Sequence, residues 1–427
     1  MTSWKFNVSV WLSLFLLATL FAWERTLYAD SAFTLFNVLN GFPAVEHFRY
    51  TQFLNLLPAQ LGVLLHLPIH AVAMILSLTP LLWAFAATWY STFQLKNTHW
   101  CFYFMGIFLV TGPEFQFLGT AEMILALIFG GLFAMETRKS MIFLWAILAY
   151  LAHPGILPAL LAASLFQKQI NFHLIAISLS VVLKLLLIPT SGYENQILSN
   201  LLNISNVFNS WGWHYFYTSL LGGWALPYLV VFLGGLVAFS GRQRWLYLVS
   251  SILTAFFITY LYQDGDSDMM MQKSYAPLWL ILSFPLLLSE KNHLLKTLLL
   301  FSFIWGCFYI VKHSKFHLNR QSELKKSMVA YEQSTKVMAH NQRFDPNTYG
   351  VSWAIPYETL IYSTYLNREK PITFCLADSS TILELISNKK PLGKNEFRGA
   401  SFAYPLKQEK LNQRYFSGLS TDAYRIE

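Results

Sequence analysis

Along the first 312 residues the hydrophobic positions come in long runs separated by short polar stretches, as expected of helices that lie in lipid. Runs of spanning character fall near residues 6–23, 69–92, 98–112, 118–135, 171–189, 225–240, 245–262, 275–289 and 296–312. A further run, 140–167, is cut by His153-Pro154-Gly155 and again by Pro158, so it reads as two short helices meeting at a break. Together these make about eleven membrane segments. Several are shorter than the ~20 residues of a full span, so some are tilted or partial. Residues 31–39 and 51–66 are also apolar, but they read as interfacial helices within the first long loop, and Pro58 suits that role better than a straight span.

Beyond Lys312 polar and apolar positions mix at short range. Ser327–His340 and Tyr357–Leu366 read as helices, and Ile372–Leu376 as a short strand ending at Ala377-Asp378. Trp353, Tyr357 and Tyr362 suit packing of this tail onto the outer membrane face. The expected fold is an all-α polytopic membrane body over 1–312, with interfacial helices in its first outer loop. A small α/β extramembrane domain over 313–427 follows it.

Composition narrows the class. Hydrophobic residues make up 55% of the chain and charged residues only 12%, against about a quarter in a soluble domain. Mean hydropathy is +0.42. A soluble globular enzyme, a disordered chain and a disulfide scaffold are all excluded, because a soluble exterior would be largely apolar. Residues 1–312 hold 14 of the 30 Lys and Arg and 11 of the 22 Asp and Glu; the tail holds the rest. The net charge of +8 is therefore no sign of nucleic acid, since bases beside a membrane meet headgroups or set topology. The three cysteines are too scattered for a framework or a metal knuckle. No small-residue cleavage signal follows Trp23, so the first run reads as an uncleaved span.

Charge also sets sidedness. With the N-terminus cytoplasmic, Lys5, Lys96, Arg138, Lys139, Lys168, Arg242, Arg244, Lys291 and Lys296 fall inside, whereas Arg25, Arg49 and Lys273 fall outside. Nine against three fits the positive-inside rule. This predicts a multi-pass plasma (inner) membrane protein with an extracytoplasmic C-terminal domain. Glu24, Asp30, Glu46, Glu114, Glu122, Glu194, Asp264, Asp266 and Asp268 all lie at the outer face, so the working face is external.

Few residues are left to carry chemistry. Asp30 reads either as an N-cap of the helix that follows or as a general base at the membrane surface. Glu24 ranks next, unless it only pairs with neighbouring Arg25. Glu46-His47-Phe48-Arg49 suits a phosphate or sugar site, because a guanidinium fork matches phosphate oxygens; interfacial anchoring is the plainer reading. Glu122 sits near the start of an apolar helix, where an ionisable group is costly and tends to be functional. His153, at a helix break, lines protein or a wet cavity, as a ligand-binding group or a satisfied hydrogen-bonder. Lys273 precedes a late span and can neutralise a lipid phosphate. Asp264, Asp266 and Asp268 resemble the start of a calcium loop that lacks its closing acid, which leaves a divalent cation as the one cofactor open. The aromatic stretch Trp211–Tyr217 suits sugar stacking or an interfacial belt, and Asn203-Ile204-Ser205 matches a glycosylation sequon.

The order of these features resembles the GT-C superfamily of membrane glycosyltransferases, which use polyprenyl-phosphate-linked sugars. Tyr28-Ala29-Asp30-Ser31-Ala32-Phe33 looks like that family's first outer loop, with its essential acid and first interfacial helix. Glu46-His47-Phe48-Arg49-Tyr50 is similar to the lead-in to its second. His153-Pro154 is similar to a helix break common in these enzymes, and Lys273-Ser274-Tyr275-Ala276-Pro277 to a basic-Tyr-x-Pro approach to a late span. The resemblance covers most of 1–312. It implies Asp30 as catalytic base and a donor-phosphate role for Lys273, beside the phosphate role that the guanidinium fork of Arg49 already suggests. It also implies transfer, with inversion, from a polyprenyl-phosphate-sugar donor in the membrane to a glycan, lipid or protein acceptor. A transporter or lipid flippase would need alternating-access symmetry, which the sequence does not display. An oligosaccharide polymerase or ligase would draw on basic residues in large outer loops, and 190–224 contains no Lys or Arg.

Overall fold

The computed structural model describes residues 4–426 except 43–44, 113–115, 118–121, 200–209, 263–267, 286–292, 330–334, 341–343, 345–348, 350, 368, 370, 389–392 and 400–404. The described chain is mostly helical. Four helices are long and apolar enough to cross a membrane: Ile69–Phe93, Ile170–Leu187, Gly241–Leu261 and Leu294–Val329. Shorter apolar helices accompany them, among them Trp4–Leu20, Trp100–Leu109, Glu122–Met135, Lys139–Ala152, Leu157–Ser164 and Leu226–Ala238. Large apolar side chains such as Leu16, Leu20, Leu186, Leu187 and Ile304 are exposed on the outer helices. Such a surface requires lipid as part of its solvent.

At the centre lies Trp100–Leu109, with all ten residues buried. A helix apolar on every side is enclosed by others. Gly106 makes this possible: a Cβ there would sit 2.1 Å from the ring of Trp279, which is itself wholly buried and donates to the Tyr103 carbonyl at 2.9 Å. Glu122–Met135 runs beside it, equally enclosed.

Helices stand where the two interfacial ones were expected. Ala29–Leu39 follows the first helix, and Phe53–Leu64, with Pro58 inside it, folds back against Ile69–Phe93. The broken run behaves as read: Lys139–Ala152 ends at His153, whose backbone is extended, and Leu157–Ser164 resumes after a single 3-10 turn.

The helix His293–Val329 has 37 residues. At 1.5 Å per residue it is roughly 55 Å long, almost twice the ~30 Å of a hydrocarbon core. It therefore carries the chain out of the apolar layer without a break, and Lys312 falls inside it. The tail is a small α/β unit. Strand Thr335–His340 is flanked in parallel by Ile372–Ala377 and Arg425–Ile426, and Glu396–Arg398 pairs antiparallel with Pro405–Lys407. The helix Ile355–Leu366 covers the sheet as the crossover between the two parallel strands. This corrects one expectation. Ser327–His340 is not one helix: Ser327–Val329 belongs to the long helix, and Thr335–His340 is the central strand, where Val337 and Met338 are buried between two neighbours.

The tail sits on Ala29–Leu39. Phe36 meets Tyr357, Phe397 and Phe416 with ring centroids 5.0, 5.0 and 5.9 Å away. Phe33 meets Tyr357 and Trp353, and Trp23 meets Tyr362, so the three predicted aromatics do pack here.

Candidate functional site

Asp30, Arg49, Glu122 and Lys273 come from widely separated stretches and form one chain of ion pairs. The Arg49 guanidinium lies 3.2 Å from one oxygen of Glu122, and the Lys273 ammonium lies 3.2 Å from the other. Lys273 also reaches Asp30, at 3.5 Å. Side-chain exposure rises along the chain, from 4% at Arg49 through 12% at Glu122 and 17% at Lys273 to 40% at Asp30. The cluster is thus a ladder leading inward from an open carboxylate. A buried charge is tolerable only when paired, and Glu122, shared by two cations, fixes both of them.

Each member is held by its local structure. Asp30 lies within the first turn of Ala29–Leu39, not at its N-cap, which is Tyr28. The N-cap reading is therefore replaced. A carboxylate in the first turn still gains from the helix dipole, while its oxygen turns to Lys273. Arg49 precedes the turn Tyr50–Gln52 that leads into Phe53–Leu64, and Lys273 lies in the last turn of Asp268–Tyr275. His47 adopts a left-handed backbone, φ +50°. Burial first, then the Arg49 cation, lowers its pKa below the ordinary histidine value, and it feels the charges of Glu122 and Lys273 as well. Glu46 opens the same 3-10 turn, though only its backbone is described.

His153 is 4% exposed. Its Nδ1 accepts the Gly155 N–H at 3.1 Å, which leaves the proton of the neutral ring on Nε2. Arg49 and His153 also line a cavity of about 170 Å³, together with Tyr150, Lys184, Glu194 and Tyr262. Apart from Thr190 the rest of its wall is apolar and includes Leu185 and Phe257, both of which reach the exterior. The polar wall therefore joins the ion-pair ladder through Arg49, while the apolar rim opens to the exterior.

Sequence reading missed Lys184 and Glu194 as site residues. Their ion pair is 2.6 Å, with side chains 7% and 11% exposed. The available signal was a single cation inside the apolar helix Ile170–Leu187, where such a residue is costly unless it has a partner.

Other expectations resolve differently. Arg25 does not pair with Glu24. It is buried and donates to Ser77 Oγ and to the Gln116 backbone and side-chain oxygens, tying Ala22–Thr26 to the body. Glu24 is buried too, and that burial raises its pKa. Within Trp211–Leu220, Phe216 stacks on Tyr275 at 4.0 Å and Tyr215 stacks on Trp224, so these two rings are engaged inside the protein. Asp264, Asp266 and Asn203 lie outside the described residues, and Asp268 starts a helix with its side chain undescribed. Among the described residues no group of three His, Cys, Asp or Glu side chains is arranged to hold a metal ion.

Comparison with models of known families, with curated proteins and with solved structures returns no match.

Proposed function

We propose that this chain is an integral membrane glycosyltransferase of the GT-C type, moving a sugar from a polyprenyl-phosphate donor to an acceptor hydroxyl on the extracytoplasmic face. The observation that carries this reading is the ladder of Asp30, Lys273, Glu122 and Arg49 beside a cavity with a polar wall and an apolar rim. A donor of this class has the same two-part character: a charged phosphate and a long hydrocarbon.

In this reading Asp30, the most open member, takes the proton from the acceptor hydroxyl. The freed oxygen forms the new bond to the anomeric carbon as the bond from that carbon to the phosphate oxygen breaks, with inversion. The electron pair leaves on the phosphate, where Arg49 and Lys273 meet the growing charge. Glu122 holds both cations at fixed positions beforehand.

The test is transfer in vesicles containing the purified protein and a panel of polyprenyl-phosphate sugars. Asp30→Asn abolishes transfer while expression and folding stay intact. Full activity in that variant overturns the assignment.

A further inference from the structure

The turn that delivers Asp30 is held from outside the membrane body. Arg320, on the upper part of His293–Val329, donates to the Leu27 carbonyl at 3.0 Å and to the Tyr349 carbonyl at 2.8 Å. It also pairs with Glu358, on the tail helix Ile355–Leu366. The other oxygen of Glu358 accepts the Ala29 N–H at 3.2 Å. Between these two points the Tyr28 ring lies 5.0 Å from the guanidinium carbon. The pair is sealed, with side chains 1% and 0% exposed. Ala29 itself sits at φ +48°, a left-handed conformation that an alanine adopts only when its surroundings impose it.

One buried ion pair thus grips both ends of the Leu27-Tyr28-Ala29 turn, and Asp30 is the next residue. A buried pair is weak evidence of added stability, because apolar residues of similar volume often replace it without loss. The bonds it makes to Leu27 and Ala29 are directional, and an apolar pair cannot make them.

We infer that Arg320 and Glu358 are positioning residues which set the Asp30 carboxylate against Lys273, so that the site is complete only with the tail docked. The inference rests on Asp30 being the base of the proposed reaction, but its first test does not. In a chain with Cys101, Cys307 and Cys375 replaced by alanine, Asp30→Cys and Lys273→Cys are joined by a short bis-maleimide. Cross-link yield then reports their proximity. Adding Arg320→Met with Glu358→Leu should lower the yield roughly fivefold, as the effective concentration of one thiol at the other falls. An unchanged yield in that variant, folded and monodisperse, overturns the inference.

A second measurement needs no variant. In rising urea, hydrogen exchange at residues 27–31 should open together with Ile355–Leu366, as one cooperative unit. Opening instead with Glu122–Met135 overturns the inference. In the transfer assay, Arg320→Met/Glu358→Leu with the native cysteines should lower kcat about tenfold or more without raising donor KM, since a small misplacement of a base is costly. Glu358→Gln, which keeps an oxygen for the Ala29 N–H, should restore most of the cross-link; failure to restore any counts against the hydrogen bond as the cause. Loss of transfer function altogether in the native chain would sink the glycosyltransferase reading and leave the cross-link result standing.

Discussion

Glu122 joins the two cations of the ladder, and its removal has a calculable consequence. In Glu122→Gln the side chain keeps its shape and loses its charge. Arg49 and Lys273, each 3.2 Å from a Glu122 oxygen, then lose the counter-charge they share, and within the ladder Asp30 touches only Lys273. Removing one partner from a buried ion pair destabilises by about 3–5 kcal/mol, because a desolvated charge is left behind. The 12% exposure of Glu122 places the loss toward the lower end of that range. The protein carries its own reporters. Cys101 in the membrane body and Cys375 in the tail are buried, and Cys307 is exposed. With Cys307 replaced by serine, a thiol-reactive dye reads unfolding at the two buried thiols. Glu122→Gln should lower the midpoint reported by Cys101 by roughly 3–4 °C, given about 1 °C per kcal/mol for a chain of 427 residues. A second change, Lys273→Met, should restore part of the loss, since removing an anion together with one of its cations rebalances the ladder. A midpoint within about 1 °C of the parent, or additive losses in the double variant, would refute the view that Glu122 holds the two cations.

Three further outcomes are expected. His47 has its pKa lowered from 6.5 in the folded chain, so the unfolded chain binds more protons between the lowered value and 6.5; stability should rise with pH through that window, level off above it, and lose the slope in His47→Gln. Gly106→Ala would drive a methyl into the Trp279 ring, and the dye signal from Cys101 should appear earlier by an amount matching the about 1–3 kcal/mol of core overpacking. Phe36→Ala removes a ring that touches Tyr357, Phe397 and Phe416, and should cost about 3–5 kcal/mol and make the tail accessible to protease while the membrane body stays resistant.

The fold was legible where its cause is local. Apolar runs named most of the helices, and His153-Pro154-Gly155 named the break, because a prolyl nitrogen has no proton for the helix ladder. The strand Thr335–His340 was not legible. Its six residues become a strand because Ile372–Ala377 and Arg425–Ile426 supply hydrogen bonds from 30 and more positions away, and Thr335-Lys336-Val337-Met338 has no internal rhythm that demands it. Gly106 was equally silent: nothing near it in sequence says that Trp279 needs the space.

The site divides along the same line. Residue type picked out Asp30, Arg49, Glu122, His153 and Lys273, because each is expensive or conspicuous where it stands. Their pairing, and the partnership of Lys184 with Glu194, depends on folding. The charge count of the assembled site then carries a consequence that no single residue does. Three cations, Arg49, Lys273 and Lys184, face three carboxylates, Asp30, Glu122 and Glu194. Among the described residues these charges balance before any ligand arrives. A phosphate therefore gains by exchange: it takes over cation contacts that carboxylates already hold, and the carboxylate it displaces must find other company. Of the three, Asp30 has the longest contact, 3.5 Å, and the greatest exposure, so it is displaced most cheaply. An anionic donor engaging Lys273 would turn the Asp30 carboxylate loose toward the open side, where an acceptor hydroxyl would approach. In the proposed reaction this balance would make donor binding the step that frees Asp30, an order of events that would keep water from receiving the sugar first.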